Sequence, residues 1–285
     1  MARKTDDGVL LVEEARKKFD QICEQARTTI YGKVTEHFRA HPNSPWSGSP
    51  LVDLEKTIRA FYDDLRIELD GEFRDSLPDV MKHFYDRAAS DMKAAGLRNA
   101  ILGKPDTARI KHFLDSAYTQ VAMKTEKMMF ENIKALRNIA SDVFRTMSVT
   151  GAARKEVSAA MLDRALKIKG FEFIDKAGTK WELQSYFSTL ARTELMNAGR
   201  ETYADKCTDD GYDVMLLSVS GNPCPACARF EGRLFSLTGS TPGLPTKEYL
   251  KAAGVFHPNC THSFSAVPAF IIETEYDNHG LPNNK

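Results

Sequence analysis

Cys224-Pro225-Ala226-Cys227 and His257-Pro258-Asn259-Cys260-Thr261-His262 are the two stretches whose reading decides the fold, with 32 residues lying between Cys227 and Cys260. A Cys-x-x-Cys pair and a Cys-x-His pair supply four soft or borderline ligands on two hairpin-like knuckles, the number and type that suit a tetrahedral zinc ion. Pro223 and Pro225 tighten the first loop, as both sulfurs must do to reach one ion. Cys224, Cys227 and Cys260 are therefore expected as ligands. The fourth place is open between His262 and His257, because Cys-x-His and His-x-x-Cys spacings can each close a tetrahedron. His262 is preferred, since its pairing with Cys260 makes a second knuckle like the first, and His257 is left as a neighbouring group or a base.

Three thiolates and an imidazole would leave no coordination position open, and a closed site folds a small module rather than catalysing. An enzymatic site would need an open position or a carboxylate base. No His-x-Glu precedes the Cys-x-x-Cys pair and no His-Glu-x-x-His occurs, so the zinc deaminase and zincin patterns are missing. The alternative is a metal-dependent hydrolase or nuclease with His257 as base. Cys23 and Cys207 stand apart from the histidines and are expected as inert apolar fillers.

Working outward, residues 170–285 are rich in turns and short strands. Tyr212 to Val219 reads as a buried strand leading into the first knuckle, and Gly232 to Ser236 and Ser263 to Val267 complete a small sheet. Phe171 to Trp181 suggests two short strands about a turn at Gly178. Trp181 to Tyr203 reads as a helix with Leu183, Phe187, Leu190, Ala191, Leu195 and Ala198 on its apolar side. In that helix Arg192, Thr193 and Glu194 are neighbours and point in different directions. Arg192 is expected to bind a carboxylate or carbonyls of the metal module rather than to act in catalysis.

Residues 1–169 are helix-rich. Leu11, Ala15, Phe19, Ile22, Ala26, Ile30 and Val34 recur in steps of three and four. Ser49 and Pro50 open a second helix, through Leu51, Leu54, Ile58, Phe61, Leu65 and Leu69, that is expected to end near Gly71. A third starts between Asp75 and Pro78 and runs through Val80, Phe84 and Ala88 toward Gly96. Asp106 to Met147 holds 42 residues without glycine or proline. Unbroken, it would span about 60 Å, with a break near Thr125 as the alternative. Gly151 marks the next boundary, before a short helix over residues 153–168. Phe84, Tyr85, Phe113, Tyr118 and Phe130 are expected in core or interface. The fold class is thus α+β: a mainly helical region with a long helix over 1–169, then a small zinc-stabilised module over 170–285.

The 39 basic and 39 acidic side chains balance, so no overall field favours nucleic acid or an anionic membrane. Residues 206–285 carry six basic against eight acidic side chains, which is no phosphate-binding groove. No apolar run suits a signal sequence or a membrane span. A reducing cytoplasm is the expected place of synthesis, with assembly there into something larger.

Gly178 to Leu183, Tyr186, Ala191-Arg192-Thr193, Gly211, the Cys224 and Cys227 pair, Glu231 to Ser236 and His257 to Phe264 together resemble the tailed-phage minor head proteins. These include the Mu F-type head-morphogenesis proteins and related minor capsid proteins. The resemblance covers about residues 170 to 268, and the helical first half only in general character. It implies a non-enzymatic virion protein inside the head, made in the host cytoplasm and present in few copies. It further implies contact with the portal and with major capsid or scaffolding protein, and a part in head assembly, DNA packaging or ejection. Residues 1–169 would then be the docking region. Relatives often place a basic residue after His-Pro-Asn-Cys and then Cys or His. Here Thr261 departs from the pattern, while His262 keeps it and gains weight as ligand. Some relatives append a toxin or enzyme domain. None is expected here, the chain ending at Lys285.

Overall fold

Three long helices carry most of the chain: α1 (Asp7–Ala40), α2 (Ser49–Ala94) and α3 (Thr107–Thr150). The computed structural model describes residues 6–42, 48–96, 103–150, 154–166, 173–174 and 179–283. The remaining elements are α4 (Arg154–Leu166), β1 (Phe173–Ile174), β2 (Lys180–Trp181), α5 (Leu183–Asp209), β3 (Val214–Leu217), α6 (Pro225–Ala228), β4 (Leu234–Ser236), α7 (Lys247–Ala252), β5 (Phe264–Ala266) and α8 (Ala269–Glu275). The fold is mainly α, with a small antiparallel sheet toward the C-terminus. The expected boundary at Gly151 and turn at Gly178 lie outside the described residues.

The helical stripes follow the sequence pattern with local shifts. In α1 the buried positions are Val12, Ala15, Phe19, Cys23, Ala26, Ile30, Val34 and Phe38. Val12 and Cys23 thus take the places expected of Leu11 and Ile22, which are half-buried. The expected end of the second helix at Gly71 is corrected, since α2 runs through both Gly71 and Pro78. Leu65, Leu69, Phe73, Leu77, Met81, Phe84 and Ala88 stay in phase across those residues and are buried. A proline inside a helix costs about 3 kcal/mol and a glycine about 1. Burying one such large apolar side chain returns about 1.5–3 kcal/mol, so several in register outweigh both breakers.

The long helix α3 is continuous through Thr125. That side chain is buried, and its hydroxyl donates to the carbonyls of Val121 at 2.9 Å and Ala122 at 3.1 Å, inside its own helix. Forty-four residues at about 1.5 Å each give roughly 66 Å. The helix expected to start at Trp181 also moves. Trp181 pairs with Phe173 across β1 and β2, and α5 begins at Leu183 and continues past Tyr203 to Asp209. It stops where Gly211 takes φ +79°. There Tyr212 N–H donates to Cys207 O and Gly211 N–H to Thr208 O, at 2.8 and 2.9 Å, which is the Schellman closure.

The chain divides into two compact units, and each has its own ties. One contains residues 17–72 and 116–188. Within it Asn132 Nδ2 donates to the buried Tyr62 hydroxyl at 2.8 Å, and Arg137 makes a two-point contact with Glu55 at 2.6 and 2.7 Å. Tyr118 and Phe130, expected in core or interface, are 43% and 51% exposed, Phe130 lying beneath the Arg59 guanidinium.

The other unit contains residues 1–16, 73–115 and 189–285. Its sheet has the order β4-β3-β5, all antiparallel. Phe264 of β5 meets Tyr203, Phe235 and Phe256 edge-on with centroids 5.4–5.8 Å apart. Helix side chains bond the backbone of β5: Tyr203 accepts from Ala266 N–H at 2.9 Å, and Arg87 donates to Phe264 O at 3.4 Å. Asp6 accepts from both Arg87 and Ser263, tying the start of the chain to the same strand. Asp213, just before β3, accepts from Ser236, Thr241 and Thr238, including the Thr238 N–H.

Phe84 is held between two glycines of this unit. A Cβ on Gly199 would lie 2.5 Å from its ring and one on Gly8 2.7 Å, so the ring has nowhere to retreat. Gly199→Ala should therefore lose about 1–3 kcal/mol in chemical denaturation, despite alanine's better helix propensity. Gly71→Ala, whose Cβ meets nothing within 4 Å, should gain about 0.5–1 kcal/mol. The bonds to Asp213 hold its carboxyl below the usual 3.8 against the effect of burial. A depressed pKa contributes stability above the unfolded value that is lost as pH falls toward the folded one. The melting-temperature deficit of Asp213→Asn should thus be full at pH 7 and shrink below about pH 4.

Candidate metal centre

Strand pairing brings the two knuckles together. β3 and β5 are antiparallel with Leu217 opposite Phe264, and Ser218 N–H donates to Ser263 O at 2.9 Å just beyond the strands. The segment leaving β3 therefore lies beside the segment entering β5. The first of these leads to Cys224 and the second holds Cys260 and His262.

Each knuckle has a local reason for its shape. Cys224 caps the one-turn helix α6 with Pro225 at the first helical position, and its sulfur accepts from Cys227 N–H at 3.5 Å. In the second, Cys260 N–H donates to His257 O at 3.0 Å. Pro258 and Asn259, the latter at φ +66°, occupy the central places as in a type II turn. Helix α7 delivers the chain there. Thr246 caps its start, and at its end Gly254, φ +91°, lets Val255 N–H reach Leu250 O at 2.9 Å.

The expected ligand atoms converge in two overlapping groups, Cys224–Cys227–His257 and Cys227–Cys260–His262, within each of which they lie no more than 4.8 Å apart. The second group is wholly buried, whereas Cys224 and His257 are half-buried. Cys227 and Cys260 sulfurs are 3.9 Å apart, Cys260 Sγ and His262 Nδ1 3.4 Å, and Cys224 Sγ and His257 Nε2 3.2 Å. Such a set could hold a metal ion. Cys23 and Cys207, by contrast, are buried apart from these groups, and burial pushes both thiols up to about 12.

Electrostatics separates the three thiols. Burial opposes ionising Cys260, but the bond with His262 and the Arg200 charge prevail and bring it down to about 6. Cys224 falls to about 7, first through the Cys227 N–H. Burial and the nearby Cys260 push Cys227 up to about 12. Like charges this close cannot all ionise on protein groups alone, and a bound cation would supply the missing compensation. Both histidines have an outer partner. His262 Nε2 meets Glu231 Oε1 at 2.6 Å, leaving Nδ1 toward the sulfur, and His257 Nδ1 meets Pro258 O at 2.8 Å. The same Glu231 oxygen accepts from Ser220 N–H and Oγ at 2.6 and 2.7 Å.

The helix α5 grips the second knuckle. Arg192 donates to both Glu13 oxygens, at 2.5 and 2.8 Å, and to Asn259 Oδ1. Thr193 Oγ1 accepts from Asn259 N–H at 2.9 Å. The carboxylate expected for Arg192 is thus Glu13, and its carbonyl is a side-chain amide. Carbonyls of the knuckle backbone go instead to Arg200, a residue that sequence reasoning missed. Its signal was a charge in an apolar stripe, between Met196 and Tyr203. Glu231 stood out only as part of a motif, because no spacing rule links it to His262.

A family model described as phage minor capsid protein 2 matches residues 15–279, and the chain belongs to that family. The match takes in the long helices as well as the knuckles. No curated protein and no solved structure matches the chain. The protein is a structural phage protein with a place in the virion. Among the described residues no helix is long and apolar enough to cross a membrane.

Asn259 joins a left-handed backbone to two side-chain contacts, and these can be taken apart. Thr193→Val should lower stability by about 1 kcal/mol for the lost hydrogen bond. Asn259→Ala should cost more, because left-handed backbone adds about 1–2 kcal/mol for a residue with a Cβ. Asn259→Gly should recover that backbone part in the same urea titration.

Proposed function

We propose that this chain is a non-enzymatic structural component of the head of a tailed phage, with its C-terminal module fastened by one zinc ion. Cys224, Cys227, Cys260 and His262 hold the ion, and His257 stays outside the tetrahedron. The observation that carries this reading is the burial of Cys227, Cys260 and His262 in one group, with His262 oriented from outside by Glu231. A metal-bound histidine ordinarily gives its other nitrogen to such a carboxylate. Three thiolates and one imidazole also match one of the usual closed structural zinc sites.

The same carboxylate argues against hydrolysis. A general base must be free to take a proton from metal-bound water, and Glu231 already accepts from Ser220 and meets His262. His257 is engaged as well, its Nδ1 meeting Pro258 O and its Nε2 meeting Cys224 Sγ, which disfavours metal-dependent cleavage with His257 as base. Membership of a minor capsid family supports contact with other virion proteins. On this reading residues 1–169 dock on the portal and on major capsid or scaffolding protein, and the zinc module of residues 170–285 faces the head interior. Assembly takes place in the host cytoplasm, with several copies in the particle assisting packaging or ejection of DNA.

Elemental analysis of the purified chain and three variants tests the site. One zinc per chain is expected in the wild type and in His257→Ala. Cys260→Ser and His262→Ala should lose zinc, and their C-terminal module should melt at lower temperature. Zinc retained in Cys260→Ser, or metal-dependent DNA cleavage abolished in His257→Ala, would refute the fastening role.

A further inference from the structure

Arg200 lies on α5, sixty positions before Cys260, and is 4% exposed. All three of its donor atoms are in use. Nε donates to His262 O at 2.7 Å, Nη2 to Cys260 O at 2.6 Å and Nη1 to Asn197 Oδ1 at 3.0 Å. The Phe256 ring stacks on it with 5.0 Å between Cζ and centroid. These partners are neutral. Among the described residues no carboxylate pairs with the guanidinium, and Glu201, the nearest acid on its helix, is engaged by Lys247 and Lys251.

A buried cation without an anionic partner carries a desolvation cost of several kcal/mol, and carbonyl dipoles offset only part of it. The two carbonyls it holds belong to the residues that present the Cys260 sulfur and the His262 imidazole. The compensating charge is therefore to be sought at the sulfurs themselves. Resting on the zinc reading above, the charge count is simple: a divalent ion, three thiolates and a neutral imidazole carry one net negative charge. A centre with two thiolates and two imidazoles would carry none.

We propose that Arg200 is the counter-ion and positioning residue of an anionic three-thiolate metal centre, clamping the backbone of two ligands while its charge balances the sulfurs. It acts through the ligands and touches no ion itself. From a rigid helix this fork reaches both carbonyls, which accounts for a guanidinium in the apolar stripe of α5. A lysine there would keep the charge and lose the fork, and a glutamine would keep a donor and lose the charge.

Zinc affinity of the full-length chain, measured by competition with a chromophoric chelator, separates these roles. Outer-sphere partners of a metal site are typically worth about 10–100-fold in affinity. Arg200→Gln should fall by about that factor, while Arg200→Lys, which keeps the charge and loses the fork, should fall by a clearly smaller one, roughly threefold. The cobalt-substituted proteins give a second readout, with the thiolate-to-cobalt absorption shifted further in Arg200→Gln than in Arg200→Lys. Equal affinity in all three proteins would overturn the proposal, and so would an equal fall in both variants, which marks a clamp without a charge role. Should Arg200→Gln fail to fold with zinc present while Arg200→Lys folds, the charge role stands, and failure of both overturns it. A wild type that binds no zinc would instead defeat the zinc reading.

Discussion

Two overlapping Cys/His groups, Cys224–Cys227–His257 and the buried Cys227–Cys260–His262, that share Cys227 beside a three-stranded sheet form the constraint on which the rest of this structure depends. Cys227 and Cys260 are 3.9 Å apart and buried, yet one sits in a helix of a single turn and the other in a loop. Strand pairing between β3 and β5 aligns the two turns. It cannot keep three ionisable thiols together unless their charge is met. A small sheet buries too little apolar surface to impose that arrangement alone. The elements around the knuckles accordingly make directed contacts to them. Thr193, Arg192 and Arg200 hold successive residues of one turn, and Glu231 orients the histidine.

The helical part works by register rather than by individual bonds. Its buried stripes run from Val12 to Phe38 in α1, from Leu54 to Met92 in α2 and from Ala117 to Val143 in α3, which is why a glycine and a proline inside α2 do not end it. Such helices present long outer faces as well as buried ones. For a virion protein that geometry suits docking against other subunits, with exposed groups such as Met123 and Phe130 on the outside of α3. The glycines at positions 8 and 199 serve the interior, where the Phe84 ring requires residues without a Cβ.

Much of this was legible in the sequence. Periodicity located most of the helices, and the absence of glycine and proline allowed the continuous α3 while leaving a break near Thr125 open. The strands and both knuckles lay where turn residues and cysteines placed them. The failures have physical causes. Gly71 read as a stop and Pro78 as part of a new start because local propensity does not register the burial energy of residues in phase on either side. Trp181 read both as the end of a strand and as the start of a helix, and its pairing with Phe173 gives it to the strand. Arg200 and Glu231 escaped because each acts on residues some thirty to sixty positions away, and sequence spacing carries no sign of such a contact. Between His262 and His257 spacing was ambiguous, and the Glu231 carboxylate behind His262 is what favours it.

Whether the cysteines and one histidine close around a single ion is the central question, and zinc K-edge X-ray absorption on the purified full-length chain tests it most directly. A closed centre predicts three sulfurs at about 2.3 Å and one nitrogen at about 2.0 Å around zinc, with no further light atom. Two sulfurs with two or more light scatterers, the pattern of an open or water-bearing site, would contradict it.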